Sequence, residues 1–195
     1  MGHSKADKAE SHDRIVRTAS TRFREAGVDG IGVADLMKEA GLTHGGFYRH
    51  FGSRDELVAE AVERALHDGA KGAVDAMAHS KLPKPVLLAA LIDWYLGTGH
   101  RDELATSCAV TSLASDVARS NARARSAYTR QVETYVDMFT QLIPGDKAKQ
   151  RRMKAIAAWS VLVGAVSMAR AVNDDKLSRE ILKSAGDEVK AQLGI

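Results

Sequence analysis

The stretch "GLTHGGFYRHFGSRDEL" (residues 41–57) decides the fold class of this chain. It places a glycine turn ahead of a short helix predicted over 43–50, and a Ser-Arg-Asp-Glu capping box starting at Ser53 opens a longer helix behind it. Gly45 and Gly46 both lie inside the short helix, although an interior glycine costs about 1 kcal/mol relative to alanine. We therefore expect a reason for the missing side chains.

Two further helices precede this stretch. From Asp13 apolar residues recur with a helical period, and Gly27 supplies a C-terminal stop. A second helix follows Gly32, which is a weak N-cap, and ends at Gly41. Three short helices with a glycine turn between the second and third are typical of the helix-turn-helix plan.

The remainder of the chain is predicted to be helical, so the fold class is all-α. Hydrophobic residues make up 45% of the chain and aromatic residues only 5%, which favours helices over sheets. The predicted domains are a disordered tail over 1–10, a helix-turn-helix domain over 11–52 and a helical domain over 53–195. Within the last we expect helices near 53–78, 84–99, 103–119, 122–142, 147–172 and 177–193.

One face of the third helix suits a DNA major groove. Phe47 and Phe51 are predicted to point back onto the first two helices. The opposite face carries side chains with polar ends, and at Gly45 the helix backbone could come close to bases or phosphates. Gly46 has two open interpretations: close packing against the first helix, or extra looseness. The residues predicted to bind DNA are Arg14, Thr43, His44, Gly45, Tyr48, Arg49, His50 and Arg54.

These candidates have different expected roles. His44 and Arg49 offer donors to guanine edges or phosphates, and Thr43 as N-cap leaves the first amides free for a phosphate. Tyr48 and His50 are expected to contact the DNA backbone. Arg54 opposes the dipole of its own helix, and a phosphate contact would offset that misfit.

Positive charge is concentrated at this motif. Between Arg14 and Arg54 seven basic residues accompany four acidic ones, so the formal net charge of +3 for the whole chain resides in this segment. Such a balance favours an anionic partner without requiring one.

Cysteine usage and hydropathy indicate a cytoplasmic protein. Cys108 is the single cysteine, which excludes an intramolecular disulfide framework and fits a reducing compartment. The N-terminus lacks the apolar core of a secretion signal. The uncharged run over 155–169 is shorter than the about 20 residues needed to span a membrane. We expect that helix to be buried on two sides, one against its own domain and one against a second copy of the protein.

Residues 33–62 resemble the signature of the TetR/AcrR family of bacterial repressors. The matching positions are Gly41, Thr43, Gly45, Tyr48, His50, Phe51, Ser53, Arg54, Asp55, Glu56 and Leu57. Gly32 and Gly46 depart from the residues common in the family, which weakens any transfer of base contacts from relatives. The resemblance implies a homodimer that binds double-stranded, near-palindromic operator DNA and carries a C-terminal domain for a small-molecule effector, with the last two long helices forming the dimer interface.

An apolar or aromatic effector is expected from the side chains of the C-terminal half. The ligand-binding candidates are Trp94, Cys108, Tyr128, Tyr135, Trp159 and Met168. An alternative is an electrophile or oxidant sensor with the same DNA-binding output, because Cys108 follows His100 and Arg101 early in a predicted helix. Most cysteines in such positions are small buried hydrophobes.

Other protein classes are disfavoured. The seven histidines show no metal-ligand spacing, and the chain has no P-loop, dinucleotide fingerprint or nucleophile elbow. We expect no catalytic residues, no metal and no cofactor. A DNA-packaging protein would not need the large C-terminal half. The sequence does not distinguish a repressor from an activator.

Overall fold

A computed structural model gives the architecture. It describes residues 5–195, except for the side chain of Ala76, and every element in that part of the chain is a helix, which confirms the all-α prediction. In chain order the elements are α1 (Lys5–Ala26), α2 (Val33–Glu39), the 3₁₀ helix η1 (His44–Arg49), α3 (Arg54–His79), α4 (Lys84–Tyr95), α5 (Thr98–Asp102), α6 (Ala109–Ser112), α7 (Ala114–Ala118), α8 (Ala122–Leu142), α9 (Ala148–Ala171) and α10 (Asp175–Leu193).

α1 begins earlier than its apolar pattern predicts. Residues 5–10 are helical and exposed, so the disordered tail expected over 1–10 is wrong for them, and residues 1–4 lie outside the described part. These first turns bury nothing, but Lys, Ala and Glu are good helix formers, and Asp7 in the first turn complements the helix dipole. Helix propensity thus extends α1 beyond its buried stripe.

Glycines end α1 and α2 as predicted. Gly27 and Gly41 adopt the left-handed conformation, with φ of 78° and 71°. Between these stops α2 buries Leu36 and Met37, and its N-cap Gly32 makes no side-chain capping bond. The two turns are therefore set by local chemistry, and they fix where η1 starts.

The predicted capping box opens α3. Ser53 Oγ accepts a hydrogen bond from the Glu56 amide at 3.2 Å. Glu56 Oε2 in return accepts from the Gly52 amide at 2.6 Å, one residue before the usual partner in such a box. Two otherwise unpaired backbone donors at the start of α3 are satisfied in this way.

The described residues form two compact units. One contains the chain up to Gly69 together with Cys108–Thr129, and the other contains Ala70–Ser107 and Arg130–Ile195. The chain therefore crosses between the units three times: within α3, between Ser107 and Cys108, and within α8. The first unit thus includes α6 and α7 as well as the helix-turn-helix.

Polar contacts tie α7 and α8 into the first unit. The Asp116 carboxylate accepts from the Val28 amide at 3.1 Å, directly after α1 ends. Asn121 Nδ2 donates to the Asp55 carbonyl at 3.0 Å at the start of α3. Side chains far along the sequence therefore brace both ends of the helix-turn-helix.

The helix predicted over 103–119 is wrong. α5 ends at Asp102, an irregular segment follows, and only the short α6 and α7 occupy the rest. The guanidinium of Arg170 donates to the carbonyls of His100 and Arg101, each at 2.9 Å. These carbonyls are satisfied from α9 instead of by a continuing helix, which the local sequence does not reveal.

α9 and α10 pack against each other in the second unit. Asp174 caps α10 by accepting from the amides of Lys176 and Leu177, and Gly194 closes it with φ of 75°. By length and composition α9 is the one described helix that could span a membrane, a test that buried core helices also pass. Its buried side includes Trp159 and Leu162.

Candidate nucleic-acid interface and sensor core

η1 presents its polar residues to solvent. Phe47 is buried and stacks on Phe51 with ring centroids 5.4 Å apart. Tyr48, in contrast, is 76% exposed. The exposed positions of this groove face are Thr43, His44, Gly45, Tyr48 and Arg49. Five of the eight residues predicted to bind DNA are therefore exposed within η1 or directly before it.

The short helix is a 3₁₀ helix. The Gly46 amide donates to the Thr43 carbonyl and the His50 amide donates to the Phe47 carbonyl, both at 2.9 Å. These bonds join residues three apart, which winds the backbone more tightly than an α-helix. Six residues in this form advance farther along the axis than they would in an α-helix.

The two glycines of η1 have different surroundings. A Cβ built on Gly45 meets nothing within 4 Å, whereas one on Gly46 lies 3.7 Å from both Met37 Cε and Thr43 Oγ1. Neither glycine has a positive φ. Close packing of Gly46 against the first helix is therefore wrong, since its nearest neighbours belong to α2 and to Thr43 at ordinary contact distance. Gly45 leaves an open notch in the groove face.

The predicted arginines near this face are held differently. Arg54 donates to the Val28 carbonyl at 2.6 Å and pairs with Asp29 at 3.1 Å. These partners offset the unfavourable position of Arg54 at the start of α3. Arg14 on α1 is half-buried, and its Nε has no hydrogen-bond partner within residues 5–195.

His50 lies at the edge of the groove face. Burial, followed by the charges of His12, Lys8 and Arg49, lowers the pKa of His50 below its ordinary value. His12 stacks on Phe51 at 4.5 Å, and its Nε2 lies 2.7 Å from a Glu60 carboxylate oxygen. His50 is therefore a neutral imidazole near pH 7, able to offer one N–H to a phosphate.

Two of the predicted ligand-binding residues meet in an aromatic cluster of the second unit. Tyr135 and Trp159 are buried and stack at 4.3 Å. Tyr95 and Phe139 complete the cluster, with ring centroids 5.0 and 5.5 Å from that of Trp159. Trp159 Nε1 is buried without a hydrogen-bond partner among the described residues. Phe139 was missed by the sequence prediction, although it lies one helical turn after Tyr135.

The other candidates lie elsewhere. Trp94 and Met168 are 57% and 55% exposed. The ring of Trp94 borders the cluster from outside, with its centroid 6.5 Å from that of Tyr95 and 5.1 Å from that of His100. Cys108 and Tyr128 fall in the first unit. Tyr128 donates its hydroxyl to the Val110 carbonyl at 2.9 Å, and burial raises the pKa of Tyr128 above its usual value.

Cys108 is a buried thiol, 4% exposed, at the N-cap of the four-residue α6. Arg24 is buried in the same unit and interacts electrostatically with Asp68 and with Cys108. Burial lowers the pKa of Arg24 and the carboxylate of Asp68 opposes that effect. A cation therefore lies near the thiol inside a largely closed environment.

His100 is buried next to the aromatic cluster. Its Nδ1 lies 2.7 Å from the Tyr95 carbonyl, and its ring is 4.4 Å from that of Tyr95. Burial lowers the pKa of His100 to about 4, and the charge of Arg170 acts in the same direction. The imidazole is accordingly neutral and donates Nδ1–H to the carbonyl. Residues 5–195 contain no group of three or more His, Cys, Asp or Glu side chains suited to a metal.

Known proteins share this architecture. Residues 15–61 match the model for the bacterial regulatory proteins of the tetR family. An uncharacterised HTH-type transcriptional regulator of Bacillus subtilis, YfiR, is 24% identical over 140 residues, covering 72% of this chain and 67% of its own.

Solved structures agree on the fold. Escherichia coli NemR in its reduced form superposes with a TM-score of 0.77 at 18% identity, covering 93% of this chain and 96% of its own. A TetR transcriptional regulator from Chloroflexus aurantiacus gives 0.76 at 20% identity, with 97% and 96% covered. At these identities the structural likeness establishes a common fold.

Proposed function

Because the chain belongs to the TetR family of bacterial regulatory proteins, we propose that it is a ligand-responsive transcriptional repressor. In this proposal a cytoplasmic homodimer binds a near-palindromic operator and leaves it when a small apolar or aromatic molecule binds. The observation that supports this most strongly is the groove face of η1, whose polar side chains are exposed around the open notch at Gly45. The chain needs no catalytic residue, metal or cofactor for this function.

The residues of the groove face are proposed to have different roles in DNA binding. His44 and Arg49 are charged or polar donors at the two ends of η1, and they suit guanine edges or phosphates. At Gly45 the absence of a side chain allows the helix backbone to approach the bases. Tyr48 and the neutral His50 suit the DNA backbone, whereas Arg54 acts by bracing the loop at Val28.

An exposed seam along α9 supports the homodimer. Exposed residues recur on this helix at spacings of three and four, and none of those in the seam is charged. The seam comprises Met153, Ile156, Ala157, Ser160, Val161, Ser167, Met168 and Ala171. Small residues within it allow two helices to approach closely, and a second copy would cover the same patch on each protomer. In this arrangement Met168 serves the interface instead of the effector site.

The aromatic cluster of the second unit supports an aromatic effector. A flat ring could replace part of the packing around Trp159, and an acceptor on the ligand could take the unpaired Nε1–H. Release of DNA requires a coupling free energy of about 1–3 kcal/mol between the two ligands. Quenching of tryptophan fluorescence and a rise in melting temperature with aromatic compounds would support this assignment. A Trp159→Phe variant with unchanged responses would exclude a contact to the indole N–H.

A thiol sensor is the second candidate function. Arg24 is buried in the same unit as Cys108 and interacts with it electrostatically, whereas burial of the thiol restricts access by reagents. Escherichia coli NemR, which has the same fold, was solved in a reduced form, and this makes a test of redox sensitivity worthwhile here. If Cys108→Ser releases DNA after electrophile treatment as the unchanged protein does, this second function is wrong.

A footprint on duplex DNA tests the proposed function. We expect protection of one short palindrome that is lost when the effector is added. Unpatterned coverage that depends only on salt would instead indicate a packaging protein.

A further inference from the structure

The first two turns of α1 and both ends of η1 line a groove of about 560 Å³. One wall consists of Asp7, Lys8 and Ser11, and the other of Thr43, Arg49 and His50. Buried Met37 forms part of the floor. We refer to this feature as the α1–η1 groove, and it adjoins the groove face described above.

The α1 wall of this groove lies outside the family's shared DNA-binding segment. The family model begins at residue 15, whereas Lys8 and Ser11 belong to turns of α1 that precede it. Residues three apart in a helix lie on the same side, so both side chains face η1 together. This wall is therefore a feature of this chain's own α1 and is not implied by the family match.

The charges in the groove favour an anion. Lys8 and Arg49 are positive, Asp7 is negative, and His50 is neutral near pH 7, so the groove has a net charge of about +1 at neutral pH. Lys8 and Arg49 make no hydrogen bond or ion pair through their side chains with any other residue in the described range 5–195. The charges of Lys8 and Arg49 both act on His50, so each cation contributes to the positive potential of the groove from its own wall. The hydroxyls of Ser11 and Thr43 and an imidazole N–H provide additional short donors.

We propose that the α1–η1 groove holds a backbone phosphate of the operator next to the bases read by η1, with Lys8 as a positioning residue for DNA binding. This inference rests on the proposed function. The α1–η1 groove and the groove face share Thr43 and Arg49. A DNA strand that runs past the groove face would therefore next meet the opening between η1 and α1. Phosphate contacts of this kind fix register without reading sequence.

Salt dependence provides the test. Lys8→Ala is expected to weaken binding about three- to tenfold per protomer near 0.1 M salt, and to reduce the slope of log K against log salt by about 0.9 per protomer, or about 1.8 for the dimer. Lys8→Arg keeps the charge and should keep the slope. Lys71→Ala, which removes an exposed lysine from the middle of α3, is the matched control and should change neither quantity.

The outcomes separate this proposal from the function on which it rests. The proposal is supported if Lys8→Ala weakens operator and unrelated duplexes by the same factor while helicity is unchanged by circular dichroism. It is overturned if the slope equals that of the unchanged protein, or if base preference changes. If the unchanged protein selects no duplex sequence at low salt, the proposed function itself fails.

Discussion

Alanine substitutions at Gly45 and Gly46 separate the demands of folding from those of DNA binding. The two residues are adjacent, share the η1 backbone and have negative φ, so the chemical change is the same at both. A Cβ at Gly46 would contact Met37 and Thr43 at 3.7 Å, and one at Gly45 would meet open space. Neither substitution should strain the fold.

The expected stability change follows from backbone entropy. Replacing glycine by alanine at a compatible position stabilises a protein by about 0.4–1 kcal/mol, because the unfolded chain loses freedom. For a chain of this length that corresponds to a rise in Tm of about 1–4 °C. Circular dichroism melts at a fixed protein concentration measure this rise, since dimerisation makes Tm depend on concentration.

DNA affinity should separate the two variants. Gly45→Ala places a methyl group in the notch of the groove face, and loss of one good base contact is worth about 1–3 kcal/mol, which is about 5- to 150-fold. Gly46→Ala should bind within about twofold of the unchanged protein. Fluorescence anisotropy with a labelled operator measures both. Equal affinities for the two variants would refute the assignment of Gly45 to the DNA side. A lower Tm for Gly46→Ala would refute the conclusion that a Cβ fits beside Met37 and Thr43 without strain.

Three further predictions concern the groove face, the buried histidine and the α9 seam. His44→Ala and Arg49→Ala should each weaken operator binding by about 1–3 kcal/mol in anisotropy titrations, and if neither does, the groove face is assigned wrongly. Since the pKa of His100 is about 4 in the folded chain and 6.5 ordinarily, the unfolded chain binds more protons between these values. Stability should therefore fall by about 3 kcal/mol as pH drops through that window, and His100→Gln, compared in urea titrations across this pH range, should remove that loss. Ile156→Glu brings like charges together across the seam and should convert dimer to monomer in sedimentation, whereas Lys149→Glu at the polar start of α9 should not.

The helix-turn-helix could be predicted because its signals are local. Gly27 and Gly41 adopt the positive φ that their positions imply, and Phe47 and Phe51 bury themselves on the face that their spacing indicates. Ser53 caps α3 for the same reason. Each of these outcomes depends on residues within one or two turns of the chain.

Long-range contacts explain what the sequence could not provide. The helix expected over 103–119 is broken, since Arg170 satisfies the carbonyls at the end of α5. Arg54 is an exposed-looking cation in the sequence, yet Val28 and Asp29 fold back to accept its donors. No local pattern indicates that these groups meet.

The aromatic candidates show the same limit. Trp94 and Trp159 are equally apolar, but only Trp159 is buried, because the face of a helix that becomes interior depends on which helices pack against it. Cys108 is far from Arg24 along the chain, and the tertiary fold places both in the first unit. A ligand set chosen by residue type therefore mixes surface and core positions.

Selection of bound duplexes from a random pool, at a stated salt concentration, tests the central claim most directly. A twofold-symmetric dimer predicts enrichment of one near-palindromic sequence whose half-site centres lie about 34–36 Å apart, or one helical turn. The same sequence should be lost from the pool selected with Gly45→Ala and kept with Gly46→Ala. Recovery of unenriched DNA, with binding that follows salt alone, would contradict the account.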